Sequence, residues 1–324
     1  MENAGEIMND WYPAARCDAL QDGDLRTVQL LGEDLLLWRA GGQVAVWQDC
    51  CVHRGTRLSL GKVEDGLLIC PYHGWRYDGN GRCAHIPAHP EQKPPEKAAA
   101  RVYQVRERYG LVWVSLGQPD RDVPPFPEQG NPAYRTVLCG PSDVLNASAP
   151  RIIENFLDVA HLPHVHGGIL GDPRYPEIPE YRTETGTEGI IARNIGVYQP
   201  NPYGSGSGEH VVYTYHVLRP FMAYLAKDAA GGVRFTLAVF LTPHDELHTT
   251  AWFYMAVSAG VDTPDADMIA YQNAIFAQDR PIVESQRPKL LPLDLQAELH
   301  LRSDRTGLTY RKWLRELGVN YGTT

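Results

Sequence analysis

The sequence predicts an α+β protein in two parts: a small antiparallel β domain, then a larger domain with an antiparallel sheet backed by helices. Three observations carry this. The first third breaks into short, apolar, β-branched runs between Gly-rich turns. A Pro-rich segment, PDRDVPPFPEQGNPAYR (119–135), interrupts the chain. Beyond it, three long strand-like runs are flanked by helical patterns. With 324 residues the chain can bury a large core and exceeds the usual single-domain size. The expected domains are 1–125 and 126–324.

In the first domain the expected strands include VAVWQ (44–48), LLIC (67–70) and LVWVSL (111–116), with breaks at Gly41-Gly42 and Asp78-Gly79-Asn80-Gly81. The second opens with a strand-like stretch near 134–148 and a helical pattern, RIIENFLDVAHL (151–162). Strands follow at VVYTYHVL (211–218), VRFTLAVFL (233–241) and TAWFYMAV (250–257), the last two joined by a tight Thr242–His248 connection. Helices at 264–286 and 308–317 end the chain.

Composition narrows the function. Apolar content of 43% and charged content of 21% are ordinary for a soluble globular protein. A net charge of −9 argues against nucleic acid and against an anionic membrane surface. No apolar run is long enough to cross a bilayer, and MENAGEIMNDWYPAARC lacks a signal-peptide pattern, so the expected location is the cytoplasm. The six cysteines show no disulfide framework.

Two short loops concentrate the chemistry. Cys51-Val52-His53 and Cys70-Pro71-Tyr72-His73 each offer one thiolate and one imidazole, with sixteen residues between His53 and Cys70. A 2Fe–2S cluster of the Rieske type needs two Cys on one iron and two His on the other, which two mixed loops can supply from opposite sides. A structural zinc would also accept two Cys and two His, but its ligands usually come as a Cys pair and then a His pair. Cys50 adjoins Cys51; the Cys-x-His register selects Cys51.

A second set lies in NFLDVAHLPHVH: Asn155, Asp158, His161, His164 and His166. Non-heme iron enzymes that activate O2 bind Fe(II) with two His and one carboxylate on one face. His161 and His166 would diverge on an unbroken helix, and Pro163 is expected to bend or end it between them. His164 falls off this pattern. Asp279 in FAQDRPIVESQ is the candidate carboxylate, with Pro281 expected to disrupt the helix there; Glu284 and Glu154 compete. Taken alone, an Asp in such a helix is more often a solvated charge.

The run CVHRGTRLSLGKVEDGLLICPYHGWRYDGNGRC resembles the cluster segment of Rieske non-heme iron oxygenases. NFLDVAHLPHVH followed by QDRPIVESQ matches that family's Asn-x-x-Asp-x-x-His-x-x-x-x-His and late-Asp pattern. The single subunit is similar to the phthalate-type, α-subunit-only branch, such as dicamba and vanillate demethylases. Stretches such as LLLWRAGG, GILGD and SDRTGLTYRKWLRELGVNYG look like the oxygenases of saxitoxin biosynthesis.

The resemblance implies Cys51, His53, Cys70 and His73 on the 2Fe–2S cluster and His161, His166 and Asp279 on Fe(II). It implies a catalytic bridge at Asp158, with Asn155 beside the iron. It further implies a homotrimer in which electrons pass from His73 of one chain, through Asp158, to His161 of the next, orienting both imidazoles. Respiratory Rieske proteins carry extra cysteines where this chain has Thr56 and Tyr72, and a serine where it has Trp75. Fewer hydrogen bonds to the cluster sulfurs imply a reduction potential toward the low end of roughly −150 to +300 mV.

The expected activity is C–H monohydroxylation of a small natural product or polar heterocycle, using O2 and electrons from an NAD(P)H-dependent reductase or ferredoxin. Oxidative O- or N-demethylation is the alternative, and a Rieske electron carrier without substrate chemistry a third reading. Candidate pocket residues are Tyr254, Met255, Tyr271 and Ile275. Strand alternation separates Trp252, Tyr254 and Ala256 from Phe253, Met255 and Val257 without saying which set faces the cavity. No buried Arg or Lys stands out as a carboxylate clamp.

Overall fold

The computed structural model describes residues 5–202, 207–228, 232–258 and 262–324. The signal-peptide reading falls partly on residues 1–4, outside this set. The chain divides into two compact units, Met8–Val123 and Pro124–Thr324, the latter with the few residues before Met8.

The first unit is built from short strands: β1 (Tyr12–Arg16), β2 (Leu25–Leu30), β3 (Glu33–Ala40), β4 (Gln43–Gln48), β5 (Lys62–Glu64), β6 (Leu67–Ile69), β7 (Arg76–Tyr77), β8 (Cys83–His85), β9 (Gln104–Arg108) and β10 (Leu111–Ser115). They form three sheets, ordered β1-β10-β9, β2-β3-β4 and β5-β6-β7-β8, with antiparallel pairing. The β3–β4 hairpin turns on Gly41 and Gly42, both at positive φ, as a tight primed turn requires. Its core packs Trp38 edge-on against Trp47 at 5.0 Å, and Trp47 against Tyr77 at 6.1 Å. Cys51 and Cys70 belong to this same apolar cluster, so both expected cluster loops are anchored by their sulfurs.

The second unit carries β11 (Tyr134–Cys139), β12 (Arg182–Gly186), β13 (Gly189–Gln199), β14 (Glu209–Arg219), β15 (Met222–Asp228), β16 (Arg234–Pro243) and β17 (Thr249–Ser258). They join in one antiparallel sheet, ordered β11-β17-β16-β15-β14-β13-β12. The fold class is therefore as the sequence implies. The sheet is covered on both faces at β17. Phe253 meets Phe276 of the long helix Asp265–Ser285 at 4.8 Å, while Tyr254 meets Phe126 on the other side at 4.9 Å.

Three local expectations need correction. The helical pattern at 151–162 is two pieces, Ala149–Leu157 and Leu162–Val165. Asp158 leaves the first helix in extended geometry, its Oδ1 accepting from Ala160 N at 2.7 Å. Pro163 sits in the first turn of the second piece, where a missing N–H costs nothing, and does not end the first. The long helix continues through Pro281 to Ser285. The strand near 134–148 stops at Cys139, before the Gly140-Pro141 pair. Among the described residues no helix is long and apolar enough to cross a membrane.

Candidate active site and metal centres

In the first unit the two Cys/His loops share one backbone frame. Cys51 N donates to Thr56 O and Gly55 N to Cys51 O, both at 2.8 Å. In the other loop Cys70 N donates to Trp75 O at 2.9 Å and Gly74 N to Cys70 O at 3.0 Å. Gly55 and Gly74 have φ of 71° and 69°, the left-handed region that closes each loop after its ligands. The sulfurs point inward, with Cys51 and Cys70 each 2% exposed, while His53 is half-buried and His73 exposed. The imidazoles face each other at 4.5 Å between ring centres, and Trp75 stacks flat on His53 at 4.5 Å.

Desolvation, then His73 and Arg54, hold His53 below the ordinary imidazole range, which favours the neutral ring a metal needs. The Tyr77 hydroxyl lies 3.2 Å from Cys51 Sγ. Burial, and then Cys51 beside it, push that phenol up, so it stays protonated and donates once the sulfur is a thiolate. Nothing in the loop spacing singled out Tyr77; the Trp75 comparison alone had suggested fewer bonds to sulfur.

In the second unit His161, His166 and Asp279 converge, their ligand atoms lying within 4.8 Å of one another. His161 Nε2 is 3.2 Å from His166 Nε2, and Asp279 Oδ1 is 3.4 and 3.1 Å from those atoms. Three ligands about 2.1 Å from one ion on one octahedral face stand ~3 Å apart, so the triangle has the right size. Asp279 Oδ1 is buried without a hydrogen-bond partner. Among the described residues no second group of three or more His, Cys, Asp and Glu ligand atoms closes so tightly. Cys51 and Cys70 turn into the core while the His53 and His73 rings lie together outside them, the two-and-two arrangement that a Rieske-type cluster needs.

Neighbours fix these ligands. His166, 1% exposed, donates from Nδ1 to Gln278 Oε1 at 2.8 Å, which turns its Nε2 lone pair toward the triad. Asp158 Oδ2 lies 3.5 Å from His161 Nδ1, a charge contact on the ring's far side. Burial opposes protonation of His161, but Asp158 and then Asp279 outweigh it and raise the group to about 9. Burial likewise opposes ionisation of Asp279, and His161 and His166 overcome it. Two imidazole nitrogens and one carboxylate oxygen so placed can hold a cation. The rival carboxylates are committed elsewhere: Glu154 binds Arg311 Nε at 2.5 Å, and Glu284 accepts from Asn146 N and Arg280 Nε at 3.1 Å. His164 is exposed.

A cavity of about 610 Å³ opens beside the triad, lined by His161, His166 and Asp279 together with Asn155. Phe253, Met255 and Val257 supply its β17 wall, and Tyr271 and Ile275 its helix wall. Tyr254 does not line it. Its hydroxyl donates to Gln129 Oε1 at 2.7 Å on the opposite face of the sheet, as alternation requires once Met255 faces inward. No buried Arg or Lys stands out in the sequence as a carboxylate clamp, but Lys227 lines the cavity at 6% exposure.

Residues 10–104 match the Rieske 2Fe-2S domain, and residues 145–319, more than half the chain, match the vanillate O-demethylase oxygenase C-terminal domain. The methylxanthine N1-demethylase NdmA of Pseudomonas putida is 32% identical over 317 residues, covering 95% of this chain and 88% of that protein. The chain belongs to the Rieske non-heme iron oxygenases. A vanillate O-demethylase oxygenase subunit from a Pseudomonas strain is 27% identical to this oxygenase over 321 residues, covering 89% of it and 95% of the relative. The solved structure of Pseudomonas putida NdmA with caffeine superposes on it with a TM-score of 0.84 at 30% identity, covering 98% of this chain and 92% of that one. A Rieske-type oxygenase carries a Rieske 2Fe–2S cluster and a mononuclear Fe(II), and both donor sets described above fit those groups.

Proposed function

We propose that this oxygenase is an oxidative demethylase that removes a methyl group from nitrogen or oxygen on a small, flat ring. The observation that supports it most is the agreement of the relatives that span nearly the whole chain: NdmA is an N-demethylase and the vanillate relative an O-demethylase. C–H hydroxylation with retention of carbon, which the sequence alone put first, begins with the same attack but has less support from these relatives. The cavity agrees with a planar guest, since Phe156, Phe235, Phe253, Phe276, Tyr213 and Tyr215 stand on its walls.

Cys51 and Cys70 would hold one iron of the cluster and His53 and His73 the other, while His161, His166 and Asp279 would hold Fe(II). When bound, these groups supply single electrons and O2 activation. Gln278 keeps His166 in its binding tautomer, Asp158 orients His161, and the apolar walls exclude water and place the methyl group. Overall, R–X–CH3 takes up O2, two electrons and two protons to give R–X–CH2OH and water; the product then collapses to R–XH and formaldehyde. Electrons arrive from an NAD(P)H-dependent reductase or ferredoxin. On the family pattern the path runs from His73 of one copy through Asp158 to His161 of the next in a cytoplasmic homotrimer.

Anaerobically reconstituted protein, reduced through a generic reductase and given N-methyl and O-methyl aromatics, tests the reading. One formaldehyde per product and three irons per chain are expected. A hydroxylated product that keeps its methyl carbon would refute demethylation, and two irons per chain would leave only a carrier.

A further inference from the structure

One wall of the cavity carries polar side chains that the demethylation chemistry leaves unused. Lys227 on β15 and Tyr213 on β14 are direct cross-strand partners, and both line the cavity. The next inward-facing pair on these strands, Tyr215 and Leu225, lines it too. The Lys227–Tyr213 and Leu225–Tyr215 rungs thus form one continuous stretch of the cavity wall.

Gln199 of β13, 1% exposed, ties the pair together. Lys227 Nζ is 3.1 Å from Gln199 Oε1, and Gln199 Nε2 is 2.7 Å from the Tyr213 hydroxyl and 3.3 Å from Leu170 O. The directions of these bonds are forced. An ammonium has only donors, so the amide oxygen must face it. The amide nitrogen must then face Tyr213, whose oxygen accepts and whose proton is left to donate elsewhere. The wall therefore presents two donors, a phenol and an amine that an anion can charge, preorganised by a buried amide.

We propose that Lys227 and Tyr213, held by Gln199, receive an ionised oxygen of the substrate, so that the methylated ring this enzyme accepts is an anion. A ring carboxylate and the enolate oxygen of an acidic ring lactam share this chemistry. Burial lowers the Lys227 amine to about 7, offset in part by Glu209, and an arriving anion would restore its charge. Ring stacking in the aromatic cavity and a charge-assisted contact on this wall would fix both the plane and the direction of the guest. The inference rests on the demethylase reading only for the methyl group; anion recognition is tested by binding.

Calorimetric titration of the anaerobic, metal-loaded protein with two matched pairs decides it: 4-methoxybenzoate against 4-methoxybenzamide, and 1,3-dimethylurate against theophylline. At least one anion is expected to bind about tenfold or more tighter than its neutral partner, and the pair that shows the margin identifies carboxylate or lactam. Lys227→Met, which keeps the side-chain length without the charge, should abolish the margin by weakening the anion. Lys227→Arg should retain it. Gln199→Glu, which sets a competing carboxylate against Nζ, should also remove it. Cluster absorption and iron content establish that each variant is folded. Neither anion outbinding its partner, or a margin that survives Lys227→Met, or equal weakening of both members of a pair, would overturn the proposal. A bound anion that shows the margin but yields no formaldehyde would sink demethylation and leave anion recognition standing.

Discussion

The Tyr77 hydroxyl, 3.2 Å from Cys51 Sγ, would donate to a sulfur whose negative charge grows on reduction of the cluster proposed there. Tyr77→Phe removes that donor while keeping the ring in the core with Trp47. The variant should retain its visible absorption and show a reduction potential lower by tens of millivolts, on the order of one hydrogen bond's worth. Potentiometric titration followed by the cluster's spectrum checks this, and an unchanged potential would contradict it. The residues that spacing alone could name were those on short loops or in one turn: Cys51, His53, Cys70, His73, His161 and His166. Lys227, Gln199 and Tyr213 were hidden because three strands of unknown register bring them together. Tyr254 and Met255 were indistinguishable for another reason. Every residue from Thr249 to Val257 is buried, so alternation carries no polar side to orient it.

Among the elements, the two helical pieces Ala149–Leu157 and Leu162–Val165 do the positioning. The gap between them swings His161 toward His166, and Gly171 then packs on the start of the second piece. A Cβ at Gly171 would lie 2.6 Å from both Pro163 Cα and Pro163 N, closer than carbon atoms tolerate, and the obstacle is backbone. Gly171→Val should displace this turn, costing about 1–3 kcal/mol in the stability of the second unit. Metal analysis should find two irons per chain and not three, with cluster absorption intact; full iron content would show that the turn yields without moving the ligands. The sequence suggested a single helix because the apolar periodicity of RIIENFLDVAHL continues past Leu157, while the Asp158 carboxylate, competing for the Ala160 amide, ends it. Pro281 misled in the opposite direction. Its helix tolerates the missing donor and carries Asp279 and Gln278 to His166 on an unbroken element.

At the scale of the molecule, Asp158 is the group on the proposed path between centres. Asp158→Asn keeps its size and its capping role but offers no negative charge to the Nδ1–H of His161. Both metal sites should fill, the cluster should reduce at its normal potential, and product formation should fall by orders of magnitude. Single-turnover assays with pre-reduced protein check this, and normal coupled turnover would remove Asp158 from the path. The two-part architecture was legible because a Pro-rich stretch and a change from short to long strands mark it in the chain itself.

The two centres also differ in how much polypeptide each must wait for. His53 and Cys70 stand 17 positions apart, whereas His166 meets Gln278 across 112 positions. A nascent chain that ends before Asp279 already owns every thiolate and imidazole of the first centre and lacks the carboxylate of the second. On the proposed assignment, the donors of the first centre are therefore complete in the chain at residue 73, and those of the second only once the helix Asp265–Ser285 has been made.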